Sequence, residues 1–199
     1  YALRDETATI NHIGLIAASI LSKKIASGAK SFVFDVKVGT GAFMKSLDEA
    51  RELAMALVEL GKYFDKKVSV VISDMNEPLG KAIGNQLEVK ESIEILQNTP
   101  YCDNNLKVLS LTLAALCILN SDYECDDYET AYQLAEGQLE NGQAYHTFMK
   151  VIEAQGGNLR EMMFDEAEFT CDFYSTSNGV LSELNALARH RPHAGLPVL

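Results

Sequence analysis

Apolar residues recur at helical spacing over residues 5–27, where Ile10, Ile13, Leu15, Ile16, Ile20, Leu21 and Ile25 predict a helix. Gly28 stands where a left-handed residue would end it. The period then shortens. Residues 31–38, SFVFDVKV, are aromatic and β-branched and predict a buried strand. The loop GTGAFMKS follows, and Ser46, with Asp48 and Glu49 behind it, predicts the start of a helix through DEARELAMALVELGKYF. Residues 67–74, KVSVVISD, predict a second strand. The loop MNEPLG then opens a helix over about 79–97, with Pro78 where a helix begins without losing a needed N–H.

Strand and helix alternating at this spacing imply an α/β fold, a parallel sheet covered by helices. Residues 103–120 predict a further apolar helix. Residues 127–155 predict two amphipathic helices broken at Asn141-Gly142, and Gly156-Gly157 marks a stop. The character changes after Asn158. Phe164–Ser177 is acidic and aromatic, SNGVLSEL predicts a turn and a strand, and ARHRPHAGLPVL is foreign in composition to the rest. This divides the chain into a central α/β domain with attached helices, residues 1–160, and residues 161–199, the start of a C-terminal domain followed by an atypical tail.

Charge narrows the classes of function. With 28 Asp+Glu against 17 Lys+Arg the net charge is −11, which argues against a nucleic-acid binder held by phosphate contacts. A small anionic substrate needs only a few local cations and stays open. No apolar run reaches the roughly 18 residues of a membrane helix, and no secretory signal opens the chain. Cys102, Cys117, Cys125 and Cys171 form no CxxC pair, so they read as free thiols of a reducing cytoplasm.

Three constellations carry candidate chemistry. Ser19 and Lys23 lie four apart and share a face of the first helix, with Arg4 at its mouth. The helix is apolar enough to be buried, and a buried lysine needs a polar partner. A ligand with carbonyl oxygens and a ring N–H would be one; a solvent-facing Ser–Lys pair is the plainer alternative. The second, DVKVGTGAF, places glycines after a strand and Lys37 beside them, but it completes neither a dinucleotide fingerprint nor a P-loop. It reads as a tight turn or as an anion cradle. In the third, Gly80 and Gly84 are poor helix residues, at about 1 kcal/mol each against Ala. Loop carbonyls with Glu91 would suit a hard cation, and close packing of a helix is the alternative. No Ser-His-Asp set is legible; His12 reads as a partly buried structural residue.

Together, YALRDETATINHIGLIAASILSKKIASGA, FDVKVGTGAFMKSLDEAREL, VISDMNEPLGKAIGNQLEVKES and VIEAQGGN closely resemble the pyrimidine-nucleoside and thymidine phosphorylase family over roughly residues 1–160. The resemblance implies phosphorolysis of pyrimidine (deoxy)nucleosides to free base and (deoxy)ribose 1-phosphate by a cytoplasmic homodimer. Inorganic phosphate would be the co-substrate, with no organic cofactor, nucleic acid or membrane involved. By position, Arg4, Ser19 and Lys23 match the family's contacts to the pyrimidine base. Leu79 and Ala82, through carbonyls, and Glu91, through its side chain, match a potassium site.

The family's phosphate-binding Lys-His-Ser segment and Gly-rich loop lie upstream of YALRD and have no counterpart here. The chain is therefore expected to be a fragment that supplies base-binding residues and is inactive alone, with a frameshift or gene-prediction error behind its tail. The competing expectations are a non-catalytic or degenerate α/β binding domain from a truncated gene, and a related phosphoribosyltransferase.

Overall fold

A computed structural model describes residues 6–159, 168–182, 184 and 185. Among them are α1 (Ile13–Ala26), β1 (Ser31–Val38), α2 (Leu47–Tyr63), β2 (Lys67–Asp74), α3 (Asn85–Leu96), α4 (Asn104–Asn120), α5 (Tyr128–Glu140) and α6 (Gln143–Ala154). The two strands pair in parallel, from Ser31 against Lys67 to Val38 against Asp74, so β1–α2–β2 is one crossover unit. The α/β fold read from the alternation is the fold observed.

Strand alternation assigns the two faces of the sheet. Phe32, Phe34, Val36 and Val38 of β1, with Val68, Val70 and Ile72 of β2, join one apolar cluster with Ala17 and Leu21 of α1 and Leu53 and Leu57 of α2. Residues of the other parity meet α4. The Asn120 amide donates to the Phe32 carbonyl (3.2 Å) and to the Ser69 hydroxyl (3.0 Å), so a nearly buried side chain fastens α4 to the opposite face. A second cluster, Ile95, Leu111, Ala135 and Leu139, unites α3, α4 and α5. Leu57, 1% exposed, lies deep in the first cluster, where truncation to Ala would cost about 2–5 kcal/mol.

Local sequence explains most element ends. Ser46 caps α2 in a full capping box, its hydroxyl accepting from the Glu49 N–H while the Glu49 carboxylate accepts from the Ser46 N–H. Asp103 and Asp127 cap α4 and α5 by accepting from the N–H groups of Leu106 and Thr130. Gly28 ends the α1 region at φ 83°, as its position predicts.

Three expectations need correction. The helix expected over 5–27 begins only at Ile13: Ala8 takes φ 53°, residues 7–11 form turns, and His12 caps α1. The helix expected over 79–97 begins at Asn85. Gly80 (φ 78°) and Gly84 (φ 121°) adopt conformations no helix contains, so Pro78 sits in a loop. The strand expected in SNGVLSEL is not formed among its described residues, 177–182 and 184. The tail ARHRPHAGLPVL lies outside the described residues.

Candidate functional site

The first candidate region is built on α1. Its apolar stripe runs through Ile13, Ile16, Ala17, Ile20 and Leu21 into the core. Ser19 and Lys23 fall beside Ile16 and Ile20, at the margin of that stripe. The structure makes Ser19 half-buried and Lys23 exposed, so of the two readings the solvent-facing one holds for the lysine. Ser19 lines a hollow of about 420 Å³ walled by Ile16, Ile20, Phe34, Phe43 and Met44. Lys23 lies one helical turn along, beyond the hollow's lining. Arg4, the third member of the expected set, lies outside the described residues.

The hollow sits at the carboxyl end of β1, beside the glycine loop. The loop's N–H groups are already used within the protein. Gly39 donates to the Met44 carbonyl (3.0 Å), Gly41 to the Met75 carbonyl (2.9 Å), and Thr40 to the Asn76 side chain (3.0 Å). Lys37 is equally committed, with its ammonium 2.7 Å from Asp35 and 2.9 Å from the Ser73 hydroxyl. Of the two readings of this segment, the tight turn is the one observed. Gly39 is obligatory there: at φ 133°, a Cβ would stand 2.7 Å from the Asn76 backbone nitrogen.

Sequence reasoning did not find the cluster of Asp35, Lys37 and Ser73. Ser73 donates to one Asp35 oxygen and accepts from Lys37, closing a three-membered polar ring. The D-x-K spacing places Asp35 and Lys37 on one face of β1, but only the register of Lys37 against Ser73 completes the set.

The second candidate region surrounds Glu91. This side chain is 6% exposed on α3, and its carboxylate accepts from the N–H of Lys81 (2.7 Å) and of Ala82 (3.3 Å). Gly80 allows the approach, since a Cβ there would meet a Glu91 oxygen at 2.4 Å. Among the described residues no cationic side chain forms a salt bridge with Glu91; the Lys81 ammonium bonds the Tyr101 carbonyl instead. The structure thus turns backbone N–H groups, those of Lys81 and Ala82, onto the buried Glu91 carboxylate, with Gly80 packed against it.

Neither of the described histidines, His12 and His146, lines the hollow. His12 is exposed and caps α1, Nδ1 accepting from the Leu15 N–H (3.4 Å), rather than being partly buried; His146 is exposed on α6. Shifted pKa values fall away from both regions. Hydrogen bonds from the Thr130 backbone and side chain hold Asp127 below the usual carboxylate range, and burial raises Tyr132 and Cys117.

A parallel βαβ unit whose hollow opens at the carboxyl end of its first strand defines a class of α/β domain that holds small ligands at that end. The family model described as "Glycosyl transferase family, a/b domain" matches residues 1–145, and the chain belongs to that family. It is similar to proteins named pyrimidine-nucleoside phosphorylase: 43% identical to that of Staphylococcus haemolyticus, 42% to that of Bacillus subtilis and 40% to that of Geobacillus stearothermophilus. Each alignment runs over 190 residues and covers 94% of this chain but 43% of the relative. The chain thus spans less than half the length of these relatives.

Proposed function

We propose that this chain is part of an enzyme that cleaves pyrimidine (deoxy)nucleosides with inorganic phosphate, releasing the base and (deoxy)ribose 1-phosphate. The observation that carries the reading is 40–43% identity to pyrimidine-nucleoside phosphorylases across nearly the whole chain. In such a reaction the sugar gains oxocarbenium character and the departing pyrimidine gains negative charge. Donors aimed at the base oxygens lower that barrier when water is excluded. Arg4 would donate as a fixed fork, Lys23 as a point charge, and Ser19 would orient the ring from the wall of the hollow. Phosphate is the nucleophile, so no covalent intermediate on the protein is required.

Leu79, Ala82 and Glu91 would hold potassium, which supplies a fixed positive charge to a buried carboxylate and to loop carbonyls. The same reading makes the enzyme a homodimer of the cytoplasm. It also makes residues 161–199 the start of a C-terminal domain followed by an atypical tail. The exposure of Phe169, Phe173, Tyr174, Val180 and Leu181 favours this, since apolar side chains in such a stretch call for a covering surface. Among the described residues no helix is long and apolar enough to cross a membrane.

The test is phosphate-dependent release of uracil or thymine by the complete gene product. Lys23→Ala and Ser19→Ala should each lower kcat/KM by about 10²–10³, as loss of one well-placed donor does, with an unchanged melting temperature. Undiminished phosphorolysis in both variants would reject the site, and absence of phosphorolysis in the complete protein would reject the function.

A further inference from the structure

We infer that Asn76 is a positioning residue: it holds the crest of the glycine loop, which walls the hollow, in the form that receives the pyrimidine, and it does so without lining the hollow itself. The inference deepens the phosphorolysis reading and rests on it for the identity of the ligand.

The loop between β1 and α2 is fixed at its ends by bonds of its own. Gly39 N–H donates to the Met44 carbonyl, and Met44 forms a parallel bridge with Val38. Ser46 and Glu49 then close the capping box of α2. Between these ends lies the crest, residues 40–43, of which Gly41, Ala42 and Phe43 line the same hollow as Ser19. Two glycines within GTGAFM leave this backbone free to take other forms. A single form of the wall therefore needs ties from outside the loop.

The segment leaving β2 supplies them. Among the described residues three bonds tie the crest to it. Gly41 N–H donates to the Met75 carbonyl (2.9 Å), Thr40 N–H to the Asn76 Oδ1 (3.0 Å) and the Thr40 hydroxyl to the Asn76 carbonyl (3.2 Å). Two of the three end on Asn76, and only the Oδ1 bond uses a side chain of that segment. Asp74 sets the orientation of this amide. Its Oδ1 accepts from Asn76 Nδ2 (2.6 Å) and from the Asn76 N–H (3.1 Å), which leaves the amide oxygen to face Thr40. The contact is also close: a Cβ on Gly39 would stand 2.7 Å from both the backbone nitrogen and the Oδ1 of Asn76.

Neither Asn76 nor Thr40 is among the described residues that line the hollow. Their effect on a ligand therefore passes through the wall. Once the Oδ1 bond is lost, the crest samples other forms, and ligand binds only the fraction that keeps the parent form. The apparent dissociation constant rises by the inverse of that fraction, while the bound complex, once formed, is unchanged. The signature is a raised KM with kcat held. A substitution that only weakened the fold would instead reduce the amount of active enzyme, and so lower the apparent kcat at constant KM.

Phosphorolysis by the complete gene product, with nucleoside varied at saturating phosphate, tests this. Asn76 and Thr40 are exposed, where substitutions seldom unfold a domain. Asn76→Ala should raise KM for the nucleoside at least about threefold, within the range for one neutral hydrogen bond, with kcat within about twofold of the parent. Thr40→Ala removes the hydroxyl bond from the other side and should raise KM in the same way; Thr40→Ser should restore it. An unchanged KM in Asn76→Ala, or a loss confined to kcat, would overturn the inference. Amide exchange of the same protein without ligand reads the wall directly. In Asn76→Ala the Gly41 amide, whose partner is Met75, should exchange at least about threefold faster, while Leu53 and Leu57 in α2 keep their parent rates. A change confined to Thr40 would show that Asn76 does not position the loop and would equally overturn the inference. A parent protein that releases no base would reject the phosphorolysis reading, and the Gly41 exchange would still decide whether Asn76 holds the wall.

Discussion

Removal of the Glu91 carboxylate probes the second candidate region most directly, because structural and ionic roles separate there. The group is 6% exposed and serves two loop N–H donors, Lys81 at 2.7 Å and Ala82 at 3.3 Å. A hydrogen bond to a charged group contributes about 1.5–3 kcal/mol, and the longer Ala82 contact belongs below that range. Glu91→Ala should therefore lower stability by about 2–4 kcal/mol. Glu91→Gln keeps one acceptor but points an amide donor at the other N–H, so it should lose about 1–3 kcal/mol. Urea titration read by circular dichroism measures both. The ionic role is read by repeating the titrations in potassium chloride and in choline chloride at equal ionic strength. A cation at ten times its dissociation constant adds about 1.4 kcal/mol to the protein that binds it. The gain should appear in the parent chain and vanish in Glu91→Gln. A cost below about 0.5 kcal/mol for Glu91→Ala would refute the structural reasoning. A potassium gain that survives in Glu91→Gln would refute the assignment of the cation to this carboxylate.

Two further outcomes are expected. Gly39→Ala combines about 1–2 kcal/mol of left-handed strain with a contact of 2.7 Å to the Asn76 backbone. It should lower the unfolding free energy by about 2–4 kcal/mol once the Thr40–Asn76 bond is displaced; a thermal melt within a degree of the parent would contradict this. The folded-state pKa of Asp127 is depressed by its bonds from Thr130, so the cap's contribution is present above the ordinary carboxylate pKa and is lost as pH falls through the lower folded value. Asp127→Asn should therefore flatten the acid limb of a pH–stability curve below about pH 4. An unchanged acid limb would show that the cap does not titrate in this way.

Much of this protein was legible before any coordinates. Both strands, the capping of α2 by Ser46, the break at Asn141-Gly142 and the α/β class follow from period and local chemistry. The reason is that those signals act over a few residues, through pleat alternation, caps and left-handed glycines. The Ser19–Lys23 pair was visible as an i, i+4 spacing for the same reason.

The failures share a cause. Nothing within residues 5–12 announces that Ala8 turns left-handed and that His12, not an earlier residue, begins α1. The loop over residues 79–84 looks like the start of a helix until Glu91, ten residues beyond Lys81, draws its amides inward. The exposure of Lys23 and the closure of Asp35 and Lys37 on Ser73 depend on which segments lie side by side. Spacing along a chain determines the faces of an element. Which of those faces and edges meet a partner is set by contacts between residues 30 to 90 positions apart, such as Asn120 with Phe32 and Ser73 with Asp35, and these exist only once the chain has folded.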